Sequence, residues 1–164
     1  MANYSAASVA NGFLEWGYRD AIRVDPMKIQ KLCYFANGYY LALHPDRVAL
    51  IEENFEAWPF GPVIPSLYHR VKGYRYNPIT EYLHVFDTEQ QSFIPAPAPE
   101  DDPLYMKVRE SVWQFYGRAA ARALSDLTHR QEGAWARTIR ETHGARSAVI
   151  PREYIRAEFE PFVT

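Results

Sequence analysis

Apolar positions recur every three or four residues from Ser5 to Tyr18, at Ala6, Val9, Ala10, Phe13, Leu14 and Gly17, which predicts a first amphipathic helix ending near Gly17. Asp25 then precedes Pro26. An aspartate carboxylate accepts the unpaired N–H groups of a first helical turn, and proline loses nothing at the first helical position, so this pair starts a second helix. Within PMKIQKLCYFANGYYLAL one stripe of Ile29, Leu32, Cys33, Ala36, Tyr40 and Leu43 continues until His44-Pro45 stops it.

The rhythm breaks at FEAWPFGPVIPSLY, Phe55 to Tyr68, where three prolines and a glycine exclude both an uninterrupted helix and a central strand. The preceding LIEENFEAW reads as a strand or a tucked loop, and a third helix is expected from Pro65 through Leu67, Tyr68 and Val71 to Gly73. A rigid aromatic turn of this kind either plugs a core at a chain reversal or presents a preformed surface. Trp58, Gly61 and Pro62 suit the first role, Phe60 and Tyr68 the second. An exposed Phe60 beside Lys28 or Lys31 would favour a docking face.

Further on, EYLHVFD, Glu81 to Asp87, reads as one strand of a small hairpin. Residues 88–103 lose periodicity and gain four prolines and several acids, which predicts an extended, solvated insertion. Asp102-Pro103 repeats the earlier start signal ahead of Leu104, Val108, Val112 and Phe115, and Gly117 ends that fourth helix. A short helix follows with Ala120, Ala123, Leu124 and Leu127 on one face; Thr128 then stands three residues before Gln131, the spacing of a capping box. Pro151 opens a last helix through Ile155 and Phe159. The sum is a mainly α fold with minor β: a compact single-domain bundle of about five to six helices over residues 1–164 with a small β element.

Composition narrows the function classes. With 164 residues the chain sustains one core without staples, and 18 basic against 20 acidic residues, a net charge of -2, supply no global field for nucleic acid. Cys33 stands alone, which excludes an internal disulfide. The first twenty residues carry no basic leader and no run of about 18 apolar residues occurs, so a cytoplasmic chain without a membrane span is expected. Aromatic content is 15%, with 12 tyrosines, consistent either with a sticky soluble surface or with a tyrosine-rich core rim.

The search for chemistry returns little. His44, His69, His84, His129 and His143 have no second ligand at helical spacing, so no metal is expected, and GRAAAR after Gly117 lacks the lysine and strand of a phosphate loop. No cofactor is expected. Cys33 lies on the apolar stripe as an inert small hydrophobe. In SDLTHRQEGAW a serine, an aspartate and a histidine crowd one helix end and cannot converge on one reacting atom. There Thr128 is expected to cap, His129 to bond a backbone or carboxylate or to bind a partner, and Trp135 to pack. Lys28 and Lys31 sit at the edge of the second helix's stripe, either as solvated snorkels or as a face toward an acidic partner.

Four stretches in order, MKIQKLCYFANGYYLAL, FEAWPFGPVIPSLY, LSDLTHRQEGAW and IPREYIRAEF, resemble the Panacea domain, the SocA-like antitoxin family, from about Val9 to Phe159. The likeness rests on Lys28, Lys31, Leu32, Tyr34 and Phe35, then on Ala57, Trp58, Gly61, Pro62 and Val63, and finally on Thr128, His129 and Trp135. It implies a bacterial or phage toxin–antitoxin setting, in which the domain neutralises a neighbour-encoded toxin by direct binding. In the family's namesake it also implies an adaptor that hands the toxin to a Clp-type protease. The expected partner-binding set is Lys28, Lys31, Tyr34, Trp58, Phe60, Tyr68 and His129, framed by Gly61, Pro62, Val63, Thr128 and Trp135, with no catalytic residue. Two alternatives stay open: an enzyme using His129 with Lys28 and Lys31 on a nucleotide-like ligand, and a phage structural component.

Overall fold

A computed structural model describes residues 3–164. In chain order it contains α1 (Ala6–Asp20), α2 (Pro26–Leu43), β1 (Glu56–Trp58), β2 (Gly61–Val63), α3 (Pro65–Val71), β3 (His84–Asp87), β4 (Ser92–Pro95), α4 (Pro103–Tyr116), α5 (Ala121–Thr128), α6 (Ala134–Glu141), β5 (Ala148–Val149) and α7 (Arg152–Phe159). The fold is mainly α with minor β. Asp25 and Asp102 cap α2 and α4 ahead of Pro26 and Pro103, as the sequence predicts, and Ser5 caps α1 through Ser8 N–H. Helix α1 runs past Gly17, which is buried inside it, and closes on left-handed Ala21.

Helix α2 is the axis of the molecule rather than an amphipathic surface helix. Thirteen of its eighteen residues are buried, and α1, α3, α4, α5 and α7 all pack on it. Leu43, expected on its apolar stripe, emerges at the exposed end. Where α7 crosses, a Cβ on Gly38 would stand 2.2 Å from the Phe159 ring, so only glycine admits that approach. Tyr34 sits among Phe35, Phe55 and Phe159 at ring distances of 5.2 to 6.1 Å, mostly edge-on. Tyr34, Tyr40 and Tyr105 are fully buried, so much of the tyrosine content is core.

Two other expectations on helix faces shift. In α4 the buried side holds Tyr105, Val108, Arg109, Val112 and Trp113, whereas Phe115 is 76% exposed. Arg109 is buried because its guanidinium donates to the Gly12 carbonyl and stacks 3.8 Å from Trp16. In α5 the buried residues are Leu124, Ser125 and Thr128, and Ala120 lies outside as the cap position.

The β structure forms two small sheets, β2-β1-β5 and β3-β4, both antiparallel. The stretch from Glu56 therefore does supply a middle strand, because β1 is only three residues long and the three prolines fall in the loop, on edge strand β2 and at the start of α3. The predicted strand near 81–87 is β3, and its mate β4 arises inside the segment expected to be an extended loop. Asn11 fixes their base, donating to Leu83 and Ala96 carbonyls at 2.8 and 2.9 Å and accepting from Leu83 N–H. That side chain, remote in sequence, converts a solvated insertion into a docked hairpin.

Candidate partner-binding site

Strands β1 and β2 form a hairpin in which Glu56 opposes Val63, Ala57 opposes Pro62 and Trp58 opposes Gly61, leaving Pro59 and Phe60 as the loop. Gly61 has φ +112°, and a Cβ there would meet Thr128 Oγ1 at 2.5 Å and Lys31 Nζ at 3.2 Å. Both the dihedral and the close approach demand glycine.

The hairpin's main chain is held by side chains from outside it. Trp135 Nε1–H donates to Trp58 O at 2.7 Å, Ser125 Oγ–H to Phe60 O at 2.6 Å, and Lys31 Nζ to Pro62 O at 3.0 Å. His129 Nε2 faces Pro59 O at 3.2 Å while Nδ1 faces Ser125 O at 2.7 Å. A neutral imidazole donates to one of these oxygens and an imidazolium to both. Gln30 behaves like a strand neighbour, its Nε2 donating to Ile64 O and its Oε1 accepting from Ile64 N–H. Residues from α2, α5, the α5–α6 turn and α6 thus bond five carbonyls between Trp58 and Ile64.

This clamp leaves the side chains of the tip outward. Phe60 is 66% exposed although its own carbonyl is bonded. Trp58, half-buried, meets Tyr68 of α3 edge-on at 4.9 Å, and Lys72 lies 6.0 Å from the Tyr68 ring. His129, half-buried, meets the Trp135 ring in a tilted contact at 4.1 Å. A rigid tip of this kind loses little conformational entropy when a partner covers it.

Three expected contact residues are not on this surface. Lys28 and Lys31 are buried, with Nζ of Lys28 donating to Gly117 O and that of Lys31 to Pro62 O. Desolvation lowers both pKa values, that of Lys31 to about 7, whereas the nearby Asp25 carboxylate partly opposes the shift at Lys28. Their aliphatic stems continue the packing of a helix enclosed on all sides, which is why they are neither snorkels nor a docking face. Tyr34 is buried too, its hydroxyl donating to Glu158 at 2.5 Å. Burial and that carboxylate raise its pKa well above the ordinary phenol value.

Among the framing residues, Gly61, Pro62 and Val63 lie buried in β2. Thr128 ends α5 instead of capping a new helix; its hydroxyl donates back to Ser125 O at 2.6 Å beneath Gly61. Helix α6 begins at Ala134, whose N–H is capped by Glu158 of α7 at 3.0 Å, so the capping box with Gln131 is replaced by a long-range acceptor. Burial raises the Glu158 pKa, with the bonds from Tyr34 and Ala134 N–H working against the shift.

Gln30, Ser125 and Glu158 were not singled out in the sequence. The available signal was Gln30 beside Lys31 inside an otherwise apolar helix, since polar groups there must find buried partners. The nucleotide-enzyme alternative loses its geometry: each lysine ammonium is committed to a carbonyl, and both His129 nitrogens face carbonyl oxygens, leaving no convergent reactive set.

The family model described as "Antitoxin SocA-like, Panacea domain" matches residues 29–136, which include the hairpin and every residue that clamps its carbonyls. The chain belongs to the SocA-like antitoxin family. It is 31% identical over 132 residues to "Antitoxin SocA" of Caulobacter vibrioides (strain NA1000 / CB15N), covering 79% of this chain and 68% of that protein. No solved structure matches the chain. Among the described residues of this SocA-like protein, no helix is long and apolar enough to cross a membrane.

Proposed function

We propose that the chain is the antitoxin of a bacterial or phage toxin–antitoxin pair and neutralises a neighbour-encoded toxin by direct protein–protein binding in the cytoplasm. The observation that carries the reading is the exposed Phe60 on a hairpin whose backbone is bonded at nearly every carbonyl. Exposed aromatics cost solubility, and a fold retains them at low entropic cost where a partner covers them. Phe60 is the anchor, with Trp58, Tyr68 and the rim of His129 around it. Lys31, Gly61, Thr128 and Trp135 act beneath as positioning residues. The role is binding rather than turnover, and residues 1–164 act as one unit.

The reading leaves room for a later step, transfer of the bound toxin to a Clp-type protease, that binding alone does not require. The deciding experiment is co-expression with the product of the adjacent open reading frame. Rescue of growth and a co-purifying complex are expected; a toxic neighbour that this chain neither binds nor silences would sink the reading. Toxin half-life in cells with and without the protease separates simple occlusion from delivery.

A further inference from the structure

We propose that the toxin segment docking here is acidic: an apolar side chain seated in the recess beside the hairpin, with an adjoining carboxylate on Arg146. This rests on the antitoxin reading above and specifies the partner's chemistry.

The recess, about 340 Å³, lies between the hairpin and the segment 139–147 and is lined by Ala57, Trp58, Pro59, Ile139, Ala145 and Arg146, among others. Its hairpin wall is continuous with the exposed Phe60 tip. The opposite wall is bent by three left-handed residues, His143 at φ 52°, Gly144 at φ 75° and Ser147 at φ 56°.

Charge points to the occupant. Arg146 has no carboxylate within 4 Å among the described residues. The nearest acid in its segment, Glu141, is engaged by Arg137 at 3.2 Å and by the Tyr154 hydroxyl. Lys72, beside Tyr68, is likewise without an ion pair among the described residues. Glu56, the acid of the hairpin itself, accepts from Trp58 Nε1 at 3.0 Å. Two cations without an ion pair, Arg146 and Lys72, thus flank the recess and the Tyr68 side of the tip on a chain whose net charge is -2. An acidic protein segment satisfies both features, the recess taking its apolar side chain and Arg146 its carboxylate. The 139–147 wall lies beyond residues 29–136 matched by the family model.

The test measures affinity for the product of the adjacent open reading frame by calorimetry at low and high salt. Arg146→Glu should weaken binding by about tenfold or more and flatten the salt dependence, whereas Arg146→Lys should retain most of the affinity. Arg23→Glu, an exposed charge reversal on the separate recess at the end of α1, should leave binding unchanged. Circular dichroism melts confirm that each variant is folded. If the wild-type chain binds and Arg146→Glu binds equally well, the acidic-segment inference fails and the antitoxin reading stands. If the folded wild-type chain does not bind the product of a toxic neighbour, both fail. A self-associated chain that Arg146→Glu dissociates without weakening the toxin complex also overturns the inference.

Discussion

The indole N–H of Trp135 donates to the main-chain oxygen of Trp58 at 2.7 Å, joining the first turn of α6 to the last residue of β1 across 77 positions of sequence. Both tryptophans are half-buried, and each meets a second ring, Tyr68 for Trp58 and His129 for Trp135. The bond fixes where the hairpin leaves the body of the molecule, and the tip inherits that direction.

Replacing Trp135 by Phe keeps a ring against His129 but removes the donor. The expected cost is about 1 kcal/mol of stability, read by urea denaturation, because a partly buried carbonyl loses its partner. Hydrogen exchange at residues 57–62 should accelerate more than in α2, since the clamp is loosened locally while the core is intact.

Gly61→Ala adds a Cβ where φ is +112° and Thr128 Oγ1 would stand 2.5 Å away. A loss of roughly 2 kcal/mol or more is expected from backbone strain and overlap together. In a Thr128→Ala background the overlap with the hydroxyl disappears, so the same substitution should cost less. A double-mutant cycle with no coupling would refute the direct contact.

The start signals were fully legible: Asp25-Pro26 and Asp102-Pro103 act within one helical turn, so sequence spacing alone encodes them. The hidden parts are those made by distant partners. Thr128 and Gln131 have capping-box spacing, yet Glu158 reaches Ala134 N–H from α7 and moves the start of α6. The solvated loop became β4 because Asn11, far away in the chain, bonds Leu83 and Ala96. Lys28 and Lys31 looked like surface cations because their neighbours at helical spacing are known from sequence, whereas the carbonyls that receive them, Gly117 and Pro62, belong to other elements. In the hairpin Gly61 and Pro62 are buried and Phe60 is outside, but Lys28 and Lys31, expected beside an exposed Phe60, are buried.

Phe60→Ala should separate function from folding. The side chain is 66% exposed, and the carbonyl bond to Ser125 does not depend on it, so stability should change by less than about 0.5 kcal/mol. Affinity for the toxin should fall by about 2 kcal/mol or more, roughly thirtyfold, as for a central aromatic anchor. Unchanged affinity by calorimetry would place the contact surface elsewhere.

Lys31 makes stability depend on pH in a direction that follows from its burial. Its folded-state pKa is lowered from 10.5 to about 7 by desolvation, so between these values the unfolded chain binds more protons than the native one. Stability therefore rises with pH across this window, with a slope of at most about 1.4 kcal/mol per unit from this group. Lys28, also lowered, contributes with the same sign. Glu158 acts with the opposite sign: its folded pKa is raised above 4.5, so its contribution is full below that value and declines as pH rises through the folded one. Buried tyrosines with raised pKa values act against Lys31 only above about pH 10, where their unfolded forms ionise. Urea midpoints of the wild type should consequently increase from about pH 7 to about pH 9.5, and Lys31→Met should reduce that rise, the remainder belonging to Lys28. An equal rise in Lys31→Met would mean that the Lys31 ammonium is not desolvated beneath Pro62, and that the hairpin is held without it.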